Sequence, residues 1–526
     1  MKKKILLILI LIVALAGFLR FKGLTTTPEG LYPDEAINGN NAVEALQSRD
    51  FDIFYPDNNG REGLFINLLA ISFWIFGISK FALKFVPALA GTLTIPGIFL
   101  LTRQLFSFYP EKKKNILALL AAFLTGISFW HINFSRIAFR GVLLPLCFVY
   151  SFYFFLKGLR ENNFFFSGIG GFFFGLSFYT YSSVRVSPLI FVILFLFLFV
   201  IAKHKKYFFK YASTFTITSI LTALPLGIFF LKFPFYFSSR SSGIMVFSHP
   251  NPLKALVISL GRHLIMFNIV GDPNWRHNLA HSPQLLWPIG IAFLLGIIFA
   301  KIKIYYHFKK KEYFYITPYL ILLLWTGVLL LPGILTYEGI PHSLRVIGII
   351  PSVYIFAALG LYPLKERIDS SSKFKKNIII LILLLIFLGG LTVTQCDKYF
   401  NDWGKSEEVK HSFSYNYVEI GNYLNSLDEE IQAFAIVNKR GDPIYYPDKV
   451  PMSAQTPIFI ENSKYRRPRT TYLKINEIKK IDLSQKPIVI VPLDNSEEIK
   501  DKIRSNFPSG EIDTQSGFWK YKINSN

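Results

Sequence analysis

Residues 1–21 read MKKKILLILILIVALAGFLRF, a basic start followed by an apolar run that continues through Phe18 and Leu19. About 18 apolar residues are enough to cross the hydrocarbon core of a bilayer, so this stretch predicts a membrane helix. The Ala-Leu-Ala at residues 14–16 also resembles the cleavage site of a signal peptide, which would be removed. Because the apolar run extends past that point, an uncut first helix is the better interpretation.

The composition of the whole chain leads to the same class of protein. Its 526 residues are 52% hydrophobic and include 54 Phe, more apolar content than an ordinary soluble domain carries. The net charge of +23 comes from Lys and Arg in short clusters between apolar runs, a pattern that orients membrane helices. We therefore expect a polytopic membrane protein without a nucleic acid partner. The two cysteines, Cys147 and Cys396, predict neither a disulfide framework nor redox chemistry.

The apolar runs predict a mainly α fold, a transmembrane bundle of about 11 to 13 spans. After the first helix, the candidate spans are residues 64–79, 84–106, 116–133, 141–157, 163–181, 187–202, 208–231, 284–300, 313–333, 343–362 and 376–395. The basic clusters between them should be cytoplasmic; they are residues 103–114, 203–206, 301–311 and 365–376. This orientation requires that residues 64–79 form a short helix embedded on the outer side, which leaves about 11 crossings.

The same topology places a set of loops together on the outer face of the membrane. They comprise residues 23–63, 134–140, 182–186, 232–283 and 334–342, followed by a polar tail from about residue 397. The tail alternates β-like runs (QAFAIVN, TPIFIE and KPIVIVPL) with helix-like runs (YVEIGNYLNSL and SEEIKDKIRSNF), which predicts a small α/β domain. We expect a membrane domain over residues 1–396, with its first outer loop at 23–63, and an extracytoplasmic α/β domain over residues 397–526.

Carboxylates and a guanidinium group occur together in the first outer loop. Asp34 and Glu35 lie in the stretch GLYPDEAINGNN at residues 30–41, and Arg61 and Glu62 follow in GREGLF. A carboxylate can take a proton from a hydroxyl nucleophile, and the Arg side chain suits phosphate binding. The combination of carboxylates with a guanidinium group therefore indicates group transfer from a lipid-anchored phosphate. The alternative for Asp34 and Glu35 is a helix N-cap with an acid in the first turn.

Further arginines occur in the next two outer loops. Arg136 and Arg140 are four residues apart in FSRIAFRGVLLP and would share one face of a helix, and Arg185 lies in TYSSVRVSPL. Such side chains can contact a phosphate. For Arg136 and Arg140 the alternative is that they extend to lipid headgroups, as is common at helix ends.

The remaining outer loops contain histidines beside arginines. His277 and His281 in GDPNWRHNLAHSP have the four-residue spacing of metal ligands on a helix, but no third ligand is apparent nearby. His342 and Arg345 are three residues apart in YEGIPHSLRVIGIIPS and could both face a bound phosphate. The alternative for these two is solvation at the membrane interface.

These motifs occur in an order that resembles one known group of membrane enzymes. The order is PDE (33–35), GREGLF (60–65), SKFALKFVPALAGTLTIPGIFLLTRQLF (79–106), SRIAFRGVLLPL (135–146), YTYSSVRVSPL (179–189), DPNWRHNL (272–279) and PHSLRVIGIIP (341–351). The resemblance to the bacterial GT-C superfamily covers nearly the whole chain. Within that superfamily the chain most resembles the membrane glycosyltransferases grouped with protein O-mannosyltransferases and the lipid A aminoarabinose transferase.

The resemblance implies a hexosyl- or pentosyltransferase that takes its sugar from a polyprenyl-phosphate donor and works on the outer face of the bacterial cytoplasmic membrane. The acceptor would be a lipid, a glycan or a protein. The acidic residue that activates the acceptor in the family matches Asp34, and Glu35 matches the second acidic position. Gly63 stands where several relatives have Pro after a basic residue, which leaves the separate roles of Arg61 and Glu62 open.

The sequence does not decide the cofactor, and it leaves one alternative function. Some members of the superfamily use a divalent metal and others do not, so the resemblance does not decide metal dependence. A transporter or flippase of a lipid-linked sugar is the main alternative function, but it would place charged residues near the middle of the membrane. In this sequence the charges lie at loop ends, which favours the transferase.

Overall fold

The structure is a computed structural model that describes residues 3–369, 374–438, 450–483, 487–514 and 517–523. The chain forms two compact units. The membrane unit comprises Met1–Leu24, Gly60–Phe65 and Pro87–Gly404, and the C-terminal unit comprises Thr25–Asn59, Ile66–Val86 and Lys405–Asn526. Residues 370–373 of the basic cluster at 365–376 lie outside the described residues.

Helices make up most of the chain. They are α1 (Lys3–Phe21), α2 (Pro33–Ser48), α3 (Leu64–Phe76), α4 (Lys80–Leu105), α5 (Glu111–Ile127), α6 (Phe129–Phe134), α7 (Leu143–Arg160), α8 (Phe164–Ser177), α9 (Pro188–Ile201), α10 (Lys205–Lys232), α11 (Phe235–Ser242), α12 (Pro252–Ile265), α13 (Trp287–Lys309), α14 (Thr317–Ile334), α15 (Ile350–Asp369), α16 (Phe374–Asp397), α17 (Glu407–Ser412), α18 (Tyr415–Ser426), α19 (Gln455–Tyr465) and α20 (Glu497–Asn506). The strands are β1 (Phe54–Tyr55), β2 (Arg61–Glu62), β3 (Gln432–Ile436), β4 (Thr471–Leu473), β5 (Ile488–Pro492), β6 (Glu511–Asp513) and β7 (Lys520–Ile523).

Within the described residues, eight helical segments are long and apolar enough to cross a membrane. They are Lys3–Phe21, Lys80–Leu105, Arg140–Arg160, Ser182–Ile201, Lys205–Lys232, Trp287–Lys309, Tyr313–Ile334 and Ile382–Trp403. The other predicted crossings coincide with α5, α8 and α15. The predicted polytopic helical fold is therefore confirmed, and the protein is a multi-pass membrane protein.

Helix α3 has the short length that the predicted orientation requires. Its 13 residues rise about 20 Å, whereas the hydrocarbon core of a bilayer is about 30 Å thick. Helices α13 and α15, in contrast, pack along each other through glycines. A Cβ added at Gly296 would lie 1.8 Å from the carbonyl oxygen of Phe356, and one added at Gly360 would lie 1.9 Å from that of Ala292. Small residues at these crossings let the two backbones approach closely.

Four loops of the membrane unit meet at one end of its helices. Glu62, just before α3, forms ion pairs with Arg140 before α7 and Arg185 before α9. Residues after α14 reach the same place, because a Cβ added at Gly141 would lie 3.0 Å from the side chain of Leu344. The convergence of these loops agrees with the topology expected from the sequence and brings their charged residues together.

The sheet of the C-terminal unit has five strands in the order β4-β3-β5-β7-β6. Strand β3 pairs in parallel with β4 and β5, whereas β7 pairs antiparallel with β5 and β6. Successive residues of β5 face opposite sides: Ile488 and Ile490 pack with α20, and Val489 and Val491 pack with α18. A sheet with both faces buried explains why β5 reads as a continuous apolar run.

One element of this unit differs from the expectation. The run TPIFIE at residues 456–461, predicted as β-like, lies inside helix α19. Thr456, Phe459 and Ile460 are buried at helical spacing, and Pro457 stands in the first turn, where its missing N–H costs nothing. The prediction was wrong because a short apolar run has no periodicity that separates a strand from a buried helix.

Candidate active site

The first cluster consists of one carboxylate and two guanidinium groups. Arg140 donates from Nε to Oε2 of Glu62 at 2.9 Å, and Arg185 donates from Nη2 to Oε1 at 3.3 Å. The Glu62 side chain is 3% exposed, that of Arg140 is 7% exposed and that of Arg185 is 21% exposed. The three side chains together carry one net positive charge in a largely buried setting. Such a charge favours an anionic ligand.

Short 3₁₀ turns and aromatic rings position the two arginines. Arg140 begins the turn Arg140–Val142 ahead of α7, and its guanidinium lies 5.5 Å from the ring centre of Tyr181. Arg185 lies in the turn Ser182–Val186 ahead of α9, 4.6 Å from the ring centre of Phe237. Cation–π contacts of this kind stabilise a guanidinium that has lost part of its water.

Arg61 and Arg136, two further candidate phosphate contacts, lie in different surroundings. Arg61 is buried and precedes Glu62 in strand β2, so the two side chains point to opposite sides of the strand. Arg136 does not share a helix face with Arg140, because α6 ends at Phe134. The guanidinium of Arg136 instead donates to backbone carbonyl oxygens at the end of α1, at 3.0 Å from Leu19, 2.8 Å from Arg20 and 2.8 Å from Gly23. Arg136 thus caps α1.

The second cluster centres on Asp272, a residue that the sequence analysis did not single out. Oδ2 of Asp272 accepts hydrogen bonds from His277 Nδ1 at 3.1 Å and from the backbone N and side-chain Oγ of Ser343, at 2.7 and 2.8 Å. Oδ1 accepts from the backbone N of Asn274 at 2.8 Å. Burial alone would raise the pKa of this carboxyl, but the charge and hydrogen bond of His277, with the Ser343 bonds, lower the pKa overall. Asp272 is therefore a buried anion.

The proposed helical pair His277 and His281 is not present. No helix spans the two residues, and His281 has φ 63°. His277 instead faces His342, with ring centres 4.7 Å apart. The signal that could have identified Asp272 is an Asp-Pro at the start of a polar loop, five residues before a histidine.

Arg345 and His342 border an open cavity of about 400 Å³. Nη1 of Arg345 donates to Thr336 Oγ1 at 2.8 Å and to the carbonyl oxygen of Glu338 at 2.6 Å. Burial, followed by the charges of His277 and Arg345, lowers the pKa of His342 well below its ordinary value. A neutral imidazole and a fixed guanidinium therefore face the same space.

The second cluster also contains side chains of the kinds that bind metal ions. Among the described residues, Asp272, His277 and His342 are the one group of three whose ligand atoms lie within 4.8 Å of one another. Because the Asp272 carboxylate already orients His277 through Nδ1, the imidazole nitrogens are the natural ligands and the carboxylate supports them from behind. Imidazole nitrogens with an assisting carboxylate fit an ion of the zinc class.

Asp34 and Glu35, in the C-terminal unit, occupy the first turn of α2 and have different surroundings. Tyr32 is the N-cap residue and Pro33 begins the helix. Glu35 is fully buried, and its Oε1 accepts the backbone N–H of Tyr32 at 3.3 Å, which is one half of a capping box. Asp34 is partly exposed and accepts a hydrogen bond at Oδ1 from Asn58 Nδ2 at 3.0 Å. Capping thus explains Glu35 but not Asp34.

Comparison with solved structures finds 23 matching chains. ArnT from Cupriavidus metallidurans bound to undecaprenyl phosphate aligns with a TM-score of 0.57 at 12% identity, over 98% of this chain and 97% of that one. The Archaeoglobus fulgidus oligosaccharyltransferase AglB, in complex with an inhibitory peptide and a dolichol-phosphate, aligns with a TM-score of 0.51 at 15% identity, over 81% of this chain. The match spans 58% of the archaeal protein.

A further structure of the archaeal enzyme, with Zn and sulfate, aligns with a TM-score of 0.50 at 15% identity, over 80% of this chain and 56% of that one. No protein-family model and no curated protein sequence matches the chain. At these identities the likeness concerns the fold, and the chain has the GT-C fold of these membrane enzymes.

Proposed function

We propose that this protein is a glycosyltransferase that moves a sugar from a polyprenyl-phosphate carrier to an acceptor hydroxyl, with inversion, on the outer face of a bacterial cytoplasmic membrane. The observation that carries the proposal is the Glu62–Arg140–Arg185 cluster at the ends of membrane helices in a GT-C fold. A lipid-linked phosphate lies at headgroup level and needs a cationic site at that depth. The ArnT structure with undecaprenyl phosphate and the AglB structure with dolichol-phosphate support this class of donor.

The phosphate site is assigned to the membrane unit. Arg140 and Arg185 would bind the phosphate oxygens, with Glu62 holding both guanidinium groups in place. His342 and Arg345 at the 400 Å³ cavity would contact the donor as well. The contacts of Arg136 with the end of α1 account for that residue without a ligand.

Asp34 is assigned as the general base. Its carboxylate takes the proton of the acceptor hydroxyl as that oxygen forms a bond to the anomeric carbon. The bond from that carbon to the phosphate oxygen breaks on the opposite face, and its electron pair leaves with the polyprenyl phosphate. The arginines balance the charge that develops on the leaving phosphate. Glu35 acts through α2, whose N-terminus it caps, and is a positioning residue.

We include in the proposal a divalent ion of the zinc class at His277 and His342, with Asp272 behind His277. When bound, such an ion would act as a Lewis acid toward a phosphate oxygen. The Zn in one structure of the archaeal enzyme supports the choice of metal.

The test is to incubate the purified protein with a panel of polyprenyl-phosphate sugars and to measure the release of polyprenyl phosphate with and without candidate acceptors. Asp34→Asn should lose about 10²- to 10⁴-fold in rate while the affinity for undecaprenyl phosphate is unchanged. The matched control is Glu44→Gln, because Glu44 is an exposed acid on the same helix, and its rate should stay within about twofold of wild type. Transport of a lipid-linked sugar without release of the carrier would favour the flippase and overturn the proposal.

The orientation is tested separately with reporter fusions at residue 410. The basic cluster at 365–376 is assigned to the cytoplasm and one helix, α16, follows it, so the C-terminal unit is assigned to the outer side. A reporter that is active only after export should therefore be active at residue 410. A fusion that works only in the cytoplasm would reverse this assignment.

A further inference from the structure

The segment that carries Asp34 is fixed at its beginning by residues from the far end of the chain. The backbone N–H of Leu31 donates to the carbonyl oxygen of Phe413 at 2.8 Å, and the carbonyl oxygen of Leu31 accepts from Thr456 Oγ1 at 2.9 Å. Gly30 has φ 89°, and a Cβ there would lie 2.5 Å from the carbonyl oxygen of Phe413. Both backbone hydrogen-bonding groups of Leu31, three residues before Asp34, are thus held by residues of the last part of the C-terminal unit, after residue 404.

The middle of α2 packs directly on α19. A Cβ added at Gly39 would lie 2.5 Å from the ring of Phe459, so the two helices touch where Gly39 has no side chain. Asn40 donates from Nδ2 to the carbonyl oxygen of Gln455 at 2.9 Å and accepts at Oδ1 from Asn462 Nδ2 at 3.0 Å. Hydrogen bonds on both sides of the glycine contact fix the rotation of α2 about its axis as well as its distance from α19.

The loop that contacts the Asp34 carboxylate is held by the same helix. Asn41 of α2 donates to Asp57 Oδ2 at 3.1 Å, and the next residue, Asn58, donates to Asp34. Asn58 has φ 50°, a left-handed conformation that Asn tolerates better than most residues. The direction of the Asp34 carboxylate therefore depends on α2, and α2 depends on α19.

We infer that helix α19 of the C-terminal unit is a positioning element for the catalytic base, with Thr456 and Asn462 as its positioning residues. The inference rests on the proposed function, in which Asp34 must lie in line with the acceptor hydroxyl and the anomeric carbon. A displacement of about 1 Å can cost about 10²-fold in rate. Helix α19, although distant from Asp34 along the chain, would thus affect turnover through the base that it positions.

The test compares Thr456→Val with Tyr521→Phe. Both hydroxyls are buried in the C-terminal unit, but Thr456 donates to the carbonyl oxygen of Leu31 whereas Tyr521 donates to that of Phe507, outside α19. Thr456→Val should lower kcat about tenfold or more and leave the affinity for undecaprenyl phosphate within about twofold. Thr456→Ser, which keeps the hydroxyl, should restore kcat. Tyr521→Phe should leave kcat within about twofold even if it lowers the melting temperature equally.

Hydrogen exchange gives a readout that does not depend on activity. Thr456→Val should speed exchange of the amides of residues 31–40 while the five-stranded sheet stays protected. Unchanged exchange there, or equal kcat values for Thr456→Val and Tyr521→Phe, would overturn the inference.

A second perturbation and one control make the result independent of a single variant. Gly39→Ala should lower kcat, and Phe459→Leu in the same chain should recover part of it by giving the new methyl group room. If the double variant recovers nothing, the contact between α2 and α19 does not set the rate. If Asp34→Asn keeps full activity, the proposed role of Asp34 fails, whatever the Thr456 result. If Asp34→Asn is inactive and Thr456→Val is normal, only the positioning inference fails.

Discussion

Replacing Glu62 by Gln should destabilise the protein and make its stability depend on a bound phosphate. Gln keeps the shape of Glu62 but removes the charge that faces Arg140 at 2.9 Å and Arg185 at 3.3 Å. At an effective dielectric constant of about 20, unit charges at these separations attract each other by about 6 and about 5 kcal/mol. The ion pairs also cost desolvation energy, so the net loss is smaller.

Removing one partner of a buried ion pair typically costs about 3–5 kcal/mol, because the other charge stays buried without compensation. For a chain of 526 residues this loss corresponds to a fall in melting temperature of roughly 3–5 °C, which we expect for Glu62→Gln in nanodiscs. The control is Glu161→Gln, because Glu161 is half exposed and lies 3.9 Å from Lys157. That exposed pair should contribute at most about 1 kcal/mol, so the control should melt close to wild type.

Undecaprenyl phosphate then distinguishes a phosphate site from a purely structural cluster. If the phosphate binds both guanidinium groups, it supplies the missing negative charge, and the Glu62→Gln variant should gain more in melting temperature than wild type at the same ligand concentration. Equal gains would mean that the ligand binds elsewhere. A Glu62→Gln variant that melts with the Glu161→Gln control would refute the argument that the cluster is buried and coupled.

Three further predictions concern the other clusters. Arg345→Ala should weaken both undecaprenyl phosphate binding and turnover, and Arg345→Lys should recover part of each. A turnover rate of Arg345→Ala within about twofold of wild type, or roughly 0.4 kcal/mol, would mean that Arg345 is only an interfacial anchor. The purified chain should bind Zn²⁺, measured by calorimetry and metal content, and lose it in His277→Ala and His342→Ala but not in His281→Ala. Loss in His277→Ala and His281→Ala, with binding kept in His342→Ala, would instead support the pair inferred from spacing. Burial, and then the neighbouring Glu461 carboxylate, raises the pKa of Tyr472 well above its ordinary value of about 10. Above about pH 10 the folded chain therefore keeps a proton that the unfolded chain loses. The free energy of unfolding should fall as the pH rises above about 10. Tyr472→Phe should flatten this alkaline slope in thermal melts, and an unchanged slope would contradict the assignment.

The class of protein, and the common side of the loops that carry Glu62, Arg140 and Arg185, could be predicted from the sequence, for a physical reason. A bilayer forces each crossing to be a helix of about 20 apolar residues, so crossings can be counted along the chain. Counting them between basic clusters also assigns each loop to a side. Glu62, Arg140 and Arg185 could therefore be predicted to lie in loops on one common side of the helices before any contact was known.

Spacing was a poor guide wherever the chain was not regular. Arg136 and Arg140 would share a face only on a helix, and the backbone between them is a turn. His277 and His281 are likewise not on a helix, and the partner of His277 is Asp272. Asp272 was missed because an aspartate in a polar loop is usually solvated, and only its burial against Ser343 makes it a fixed charge.

The sequence by itself determined the membrane helices, the α/β character of the tail and the residue types of the site, because these depend on local apolar content and on periodicity. The tertiary structure alone decided the partners. Glu62 pairs with Arg140, 78 residues away, and with Arg185, 123 residues away. Asn40 of α2 bonds to Asn462, 422 residues along the chain. Contacts over such separations result from how buried surfaces fit together, and no local pattern in the chain specifies that fit.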